Sequence, residues 1–486
     1  MFAAIKEHTM NMRRLALAAG PLVFILVLCL PAPETLSAPA QAAAAITSWI
    51  TIWWIAEPVP VSVTALLPLV LFPLLGVAPL KSIASEFGHE IIFLFMGGMF
   101  FGQAIERWNL HQRIALSMVL WLGDNPSRML LGFMLATGFL SMWISNTATA
   151  VMMTPVAIAV GSSLRADDPQ RQQNFGKSLM LGVAYACSIG GLATIIGTPT
   201  NAIFIGFAQQ KLGMEVSFWR WFLIGFPFAL LLLLICWALL LLLFPLPAKR
   251  AATGMRAQIQ SDMARLGPLS PAEYRLMLLF GLVVAAWISG GLLWYRFFPN
   301  VNDTIVALCG ALALFLIPAG QEKDAPLLSW DHAMRIPWGV LLFFGGGLAL
   351  AKGFDTSGLA AWIGQKMEGL RTVPHIVMLL SVFAVVVVLS EIASNVATAS
   401  MMMPVLAALA SGIGLEPGAL LLSAAMAASI GFGLPVATAP NAIVFSSGFL
   451  NTRDMARAGF LLDVAAILLL LLFAYTLIPL IWGISL

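Results

Sequence analysis

Two short polar strings interrupt an otherwise apolar chain, Ser145-Asn146-Thr147 and Ser394-Asn395-Val396. Their hydroxyl and amide oxygens are hard, neutral ligands suited to a dehydrated cation such as Na+. Their amide and hydroxyl donors suit the oxygens of a carboxylate or sulfate. Each string opens a longer match: 145–156 aligns without gaps on 394–405, with nine of twelve positions identical. Downstream, Gly197-Thr198-Pro199-Thr200-Asn201-Ala202-Ile203 pairs with Ala437-Thr438-Ala439-Pro440-Asn441-Ala442-Ile443, and 93–98 upstream echoes 342–347. Proline inside a long apolar segment removes a backbone donor and frees the carbonyl one turn earlier. The half-helix that follows presents N–H groups and a positive dipole end to an anion. A lone Ser-Asn-Thr cluster is equally well read as interhelical hydrogen-bond glue; duplication beside helix breaks favours a site. Hydrolytic chemistry lacks its parts. His8, His89, His111, His332 and His375 are scattered near predicted membrane surfaces, and none pairs with a motif serine.

The elements that must hold these strings are membrane spans. The chain has 486 residues, 60% hydrophobic and only 10% charged, whereas soluble domains carry roughly 25% charged residues. A net charge of +3 without a basic stripe argues against nucleic acid. Segments 128–164 and 374–410 are too long for one helix and too short for two helices plus a loop. Polar, non-helical backbone at membrane depth is tolerated only where protein or a water-filled cavity receives it. Both segments are therefore read as re-entrant hairpins whose tips meet near the midplane. The expected fold is an all-α polytopic membrane protein with about eleven transmembrane helices plus the two hairpins. It divides into an N-terminal helix and linker (1–42), a first repeat (43–246), a cytoplasmic linker (247–272) and a second repeat (273–486). Five spans per half make the repeats inverted, the sequence signature of a secondary transporter with its site at the repeat interface. With the N-terminus inside and the C-terminus outside, eighteen of the 25 Lys and Arg fall inside and seven outside, as the positive-inside rule requires.

Other features carry less. The four cysteines, Cys29, Cys187, Cys236 and Cys309, lie in apolar stretches without the spacing of a zinc site or a disulfide framework. The run 15–30 followed by 37–42 resembles a secretory signal with a cleavage site, although an uncleaved first helix is expected. Glu391 and Glu57 are intramembrane or near-membrane carboxylates, open to a cation-partner role or to a structural one. Trp53, Trp54, Trp219, Trp221 and Trp294 read as an interfacial belt.

At these residues the chain resembles the divalent anion/Na+ symporter family of dicarboxylate, citrate and sulfate carriers. The resemblance runs from Trp53-Trp54-Ile55-Ala56-Glu57-Pro58 and Thr64-Ala65-Leu66-Leu67-Pro68 to about Gly483. It takes in Glu106-Arg107-Trp108, Leu110-His111, both Ser-Asn strings and both Pro-Asn-Ala-Ile blocks. The resemblance implies a homodimer in the lipid bilayer of the cell membrane, each protomer pairing a scaffold with a transport domain that moves as an elevator. It implies one Na+ site at Ser141, Ser145, Asn146 and Gly197, and a second at Ser390, Ala393, Asn395 and Ala437. It also implies substrate contacts from Asn146, Thr147, Thr198, Ser394, Asn395 and Thr438. Val396 departs from the threonine of many bacterial members, which replaces a hydroxyl donor with a methyl. The expected activity is Na+-coupled symport of C4-dicarboxylates such as succinate, malate and fumarate. A Na+-independent exchanger, or a carrier of citrate or sulfate, could use the same hairpins.

Overall fold

The computed structural model describes residues 2–122, 125–163, 168–247, 253–298, 300–320 and 325–484. Among these the structure is helical, apart from one isolated bridge between Pro318 and Pro326. The first half begins with α1 (Phe2–Cys29), α2 (Ala38–Ala56), α3 (Val61–Thr64), α4 (Leu67–Leu74), α5 (Leu80–Glu86), α6 (Glu90–Arg107) and α7 (Leu110–Leu122). It continues with α8 (Pro126–Ser141), α9 (Asn146–Ser163), α10 (Pro169–Gly191), α11 (Pro199–Leu212) and α12 (Phe218–Leu243). Between the halves lies α13 (Thr253–Arg265). The second half runs through α14 (Pro271–Ser289), α15 (Asp303–Leu316), α16 (Trp330–Ala333), α17 (Trp338–Ser357) and α18 (Leu359–Met367). It ends with α19 (His375–Ile392), α20 (Asn395–Ile413), α21 (Pro417–Ala427), α22 (Ala439–Phe445), α23 (Thr452–Tyr475) and α24 (Leu477–Trp482).

Helix starts follow local chemistry. Asn125 caps α8 and Asp168 caps α10, each ahead of a proline at the first helical position, where the missing N–H costs nothing. Ser270 with Glu273, and Asn451 with Asp454, form reciprocal capping boxes at α14 and α23. Burial then sorts the helices. From Asn174 to Gly191, α10 is buried on nearly every face, so it lies at the centre of the bundle. In contrast, α12, α14 and α23 leave leucine-rich faces exposed, as lipid-facing spans do. Among the described residues six helical stretches are long and apolar enough to cross a membrane: α12, α19, α20 and those containing α6, α14 and α23. Close approach of α6 to α15 depends on Gly97, whose added Cβ would meet Ala307 Cβ at 3.0 Å. The same fit recurs between Gly346 of α17 and Ala65, at 2.6 Å.

Several elements differ from the sequence expectation. Segments 128–164 and 374–410 do hold two helices each, because the turns between them shrink to residues 142–145 and 393–394. The apolar stretch 59–78 is broken at residues 65–66 into α3 and α4, each short of the roughly 20 residues a spanning helix needs. The linker 247–272 contains α13. Two arms, α7 and α18, lie ahead of the hairpins at matching positions. Arg165, Lys249, Arg250 and Lys323, counted inside, fall outside the described residues.

Candidate functional site

The hairpins close on the helices that follow them through one repeated set of hydrogen bonds. In the first half, Ser141 Oγ lies 2.8 Å from Asn146 Oδ1 and 2.7 Å from the Cys187 carbonyl. In the second, Ser390 Oγ lies 2.8 Å from Asn395 Oδ1 and 2.5 Å from the Ala428 carbonyl. A serine hydroxyl has one hydrogen to share between those two acceptors. Each cluster therefore keeps an oxygen with free lone pairs facing its neighbours, an arrangement that accommodates a hard cation without any carboxylate. Two asparagines staple the breaks behind the clusters. Asn201 Nδ2 donates to the carbonyls of Gly191 (3.0 Å) and Thr194 (2.7 Å). Asn441 Nδ2 does the same to Gly431 (3.2 Å) and Leu434 (2.9 Å). The sequence match of the two Pro-Asn-Ala-Ile blocks thus reflects a shared backbone staple, a role the sequence reading did not assign.

Gly191 and Gly197 are pressed together and against the first tip. A Cβ on Gly191 would meet Asn146 Oδ1 at 2.7 Å, and one on Gly197 would meet the Gly191 carbonyl at 2.5 Å. Of the expected cation set, Ser141, Asn146 and Gly197 therefore sit in one cluster. Ser145 Oγ instead accepts the Ala148 N–H at 3.3 Å, at the start of α9. In the second half, Ser390 and Asn395 cluster, while Gly431 has Ser390 O and Ala437 Cβ as its nearest surroundings, at 3.5 and 3.6 Å from an added Cβ. Ala393 is buried directly ahead of the tip. Thr149 and Thr398, at matching positions within α9 and α20, are fully buried with hydroxyls that have no hydrogen-bond partner among the described residues.

The expected substrate groups lie around these clusters. Thr147 is exposed, Asn146, Ser394 and Asn395 are partly exposed, and Thr198 is buried ahead of α11. Thr438 Oγ1 is engaged by the Asn441 N–H at 3.2 Å. The two halves interlock here. Helix α22 packs on α9 and α10, and α11 packs on α20 and α21. The Thr200 and Ser429 hydroxyls meet at 2.5 Å across that boundary. Helices α9 and α20 begin at the two tips, and α11 and α22 begin just after the two breaks, so four N–H ends lie beside uncharged motif side chains.

The loops differ in cover and in bracing. Ile196 is 7% exposed and packs on α6, where an added Cβ on Gly98 would meet Ile196 Cβ at 3.1 Å. Its counterpart Val436 is 80% exposed, and Gly347, the counterpart of Gly98, faces the Ser400 hydroxyl instead. Glu391 is buried, with Oε1 and Oε2 accepting the N–H groups of Gly433 (2.6 Å) and Leu434 (2.9 Å). Asp463 of α23 accepts the Phe432 N–H at 3.2 Å. Glu57 lies at the C-terminal end of α2, away from the tips. Trp54 and Trp221 are fully buried, and their indole N–H groups donate to the carbonyls of Val61 and Leu192.

Comparison with known proteins agrees with this architecture. A sodium-dependent dicarboxylate transporter, SdcS, from Staphylococcus saprophyticus is 40% identical over 477 residues, covering 96% of this chain and 92% of that protein. Its namesake from Staphylococcus aureus strain USA300 is 39% identical over 481 residues, covering 97% and 92%. Two solved transporters share the fold at low identity. Neisseria gonorrhoeae MtrF matches with TM-score 0.57 and 12% identity, over 91% of this chain and 96% of that one. The Alcanivorax borkumensis YdaH transporter matches with TM-score 0.57 and 16% identity, over 81% and 87%. Residues 9–483 match the model of the sodium:sulfate symporter transmembrane region, and the chain belongs to that family of membrane transporters.

Proposed function

We propose that the chain is a secondary active transporter that carries C4-dicarboxylates such as succinate, malate or fumarate together with Na+. The observation that supports this most directly is the duplicated oxygen cluster, Ser141–Asn146–Cys187 and Ser390–Asn395–Ala428, in which one hydroxyl hydrogen serves two acceptors. In this reading Ser141, Ser145, Asn146 and Gly197 hold one Na+, and Ser390, Ala393, Asn395 and Ala437 hold a second. Asn146, Thr147 and Thr198, with Ser394, Asn395 and Thr438, then face the carboxylates alongside the helix N-termini. No motif side chain is cationic, so a dianion enters a site whose only full positive charges arrive with it. Coupling follows from that charge balance. The names of the SdcS relatives agree with both ion and substrate.

The membrane arrangement proposed with it has inverted repeats at 43–246 and 273–486, about eleven spans and two re-entrant hairpins. The N-terminus lies on the cytoplasmic side of the cell membrane and the C-terminus outside, and the unit is a homodimer. The elevator step is supported by the unequal loops: Ile196 is covered by α6 while Val436 is bare, as expected of a two-sided device caught on one side. The deciding measurement is uptake of labelled succinate into liposomes carrying the purified protein, with a Na+ gradient, with choline, and with internal dicarboxylate. Uptake should require Na+ and be blocked by malate and fumarate. Uptake that ignores Na+ but needs the preload would replace symport with exchange.

A further inference from the structure

The second cation cluster is built differently from the first, and the difference is an acidic pair. Helix α10 continues to Gly191, four residues past Cys187, whereas α21 ends at Ala427, just before the matching Ala428. In the first half the N–H groups of Leu192 and Ala193 close backward onto the carbonyls of Ile189 and Gly190. In the second, the extra unwound turn leaves the N–H groups of Phe432, Gly433 and Leu434 without such acceptors, and buried donors must be satisfied. Asp463 and Glu391 accept all three. Their counterparts in the first half are Ala229 and Met142, which have no acceptor side chain. There the Thr194 hydroxyl bonds to the Met142 carbonyl instead, at 2.6 Å.

The geometry assigns Glu391 and Asp463 as positioning residues that hold the 430–434 turn unwound and so set the shape and cation affinity of the second cluster alone. The inference rests on the Na+ reading of that cluster. The looser fit around Gly431, compared with Gly191 against Asn146, is the local consequence of this bracing. The two clusters are therefore not interchangeable, and disturbing the acidic pair alters one of two cation-binding events.

The test is Na+ activation of succinate uptake in liposomes by wild type, Glu391→Gln, Glu391→Asp and Asp463→Asn, with melting temperature measured in Na+ and in choline. In Glu391→Gln the new amide donor opposes the Leu434 N–H. Loss of a hydrogen bond to a charged group, about 1.5–3 kcal/mol, raises the Na+ concentration for half-activation by roughly tenfold or more. The Na+ Hill slope falls toward one, and the Na+-induced rise in melting temperature shrinks. Asp463→Asn changes in the same direction, and Glu391→Asp recovers part of the loss. Unchanged Na+ activation in Glu391→Gln and Asp463→Asn overturns the assignment. So does a loss of melting temperature in choline with Na+ activation intact, because that marks a structural brace only. If a variant cannot be reconstituted, the Na+-dependent melting shift of detergent-solubilised protein decides by the same criterion. A wild type indifferent to Na+ would instead remove the symport reading, a separate result.

Discussion

Asn146 and Asn395 each have two jobs that no other side chain at those positions would combine. The amide oxygen of each shares a serine hydrogen with a backbone carbonyl, and each begins the helix whose N–H end faces the site. Replacement by alanine removes the oxygen and the amide donor but keeps the helix register. Asn146→Ala and Asn395→Ala should therefore each abolish uptake, while yield and melting temperature in choline stay near wild type. Wild-type uptake by either variant would remove the basis for the site. Within the two Ser-Asn strings Val396 is where donor capacity differs, Thr147 having a hydroxyl and Val396 a methyl. Val396→Thr restores the missing donor. It should lower the half-saturation concentration of a dicarboxylate several-fold, since one neutral hydrogen bond contributes about 1 kcal/mol. The measurement is succinate-dependent uptake at saturating Na+, and an unchanged value would place Val396 outside substrate reach.

At the scale of elements, much of the site was legible because the same polar residues occur twice in a chain otherwise filled with Leu, Val and Ala. The Ser-Asn strings, the Pro-Asn-Ala-Ile blocks and the echo of α6 in α17 all stood out for that reason. What stayed hidden was backbone and long-range partnership. The carbonyls of Cys187 and Ala428 belong to residues whose side chains say nothing about ligation. Asp463 reads as a lone acid in an apolar helix until Phe432 is folded against it. The two-residue turn of the second hairpin was misjudged because span arithmetic assumes a longer connection. Close packing was legible only as an excess of glycine, and it yields its own prediction. A Cβ on Gly190 of α10 would lie 2.2 Å from the Gly138 carbonyl of α8, and backbone cannot yield as a side-chain tip can. Gly190→Ala should cost about 1–3 kcal/mol, the usual penalty for overpacking. It should push the first hairpin off α10, lowering both melting temperature and uptake. Gly281→Ala, where nothing lies within 4 Å of the added methyl, is the matched control and should change neither.

Across the whole molecule, two-fold likeness in sequence coexists with a lopsided arrangement. Gly97 against Ala307 and Gly346 against Ala65 are matched contacts. Gly98 against Ile196 and Gly347 against Ser400 are not, because Ile196 repeats as Val436 and Ser400 repeats as Val151. If the halves exchange roles when the site changes sides, the missing partners are fixed by the repeat. Gly347 then meets Val436, now 80% exposed, and Gly98 leaves Ile196 for Val151, now 54% exposed. A disulfide needs Cβ atoms within about 4.5 Å of each other, so cysteine pairs read these states directly. In a background lacking the four native cysteines, Gly98→Cys with Ile196→Cys should cross-link in the state described here and stop uptake until reduced. Gly347→Cys with Val436→Cys should cross-link when Na+ and succinate drive turnover, and the trapped protein should shield the Ser-Asn tips from the side on which they are now exposed. A Gly347–Val436 pair that never cross-links under any combination of Na+ and substrate would mean that the tips open and close against a fixed scaffold. The sliding of one domain past the other would then have to be given up.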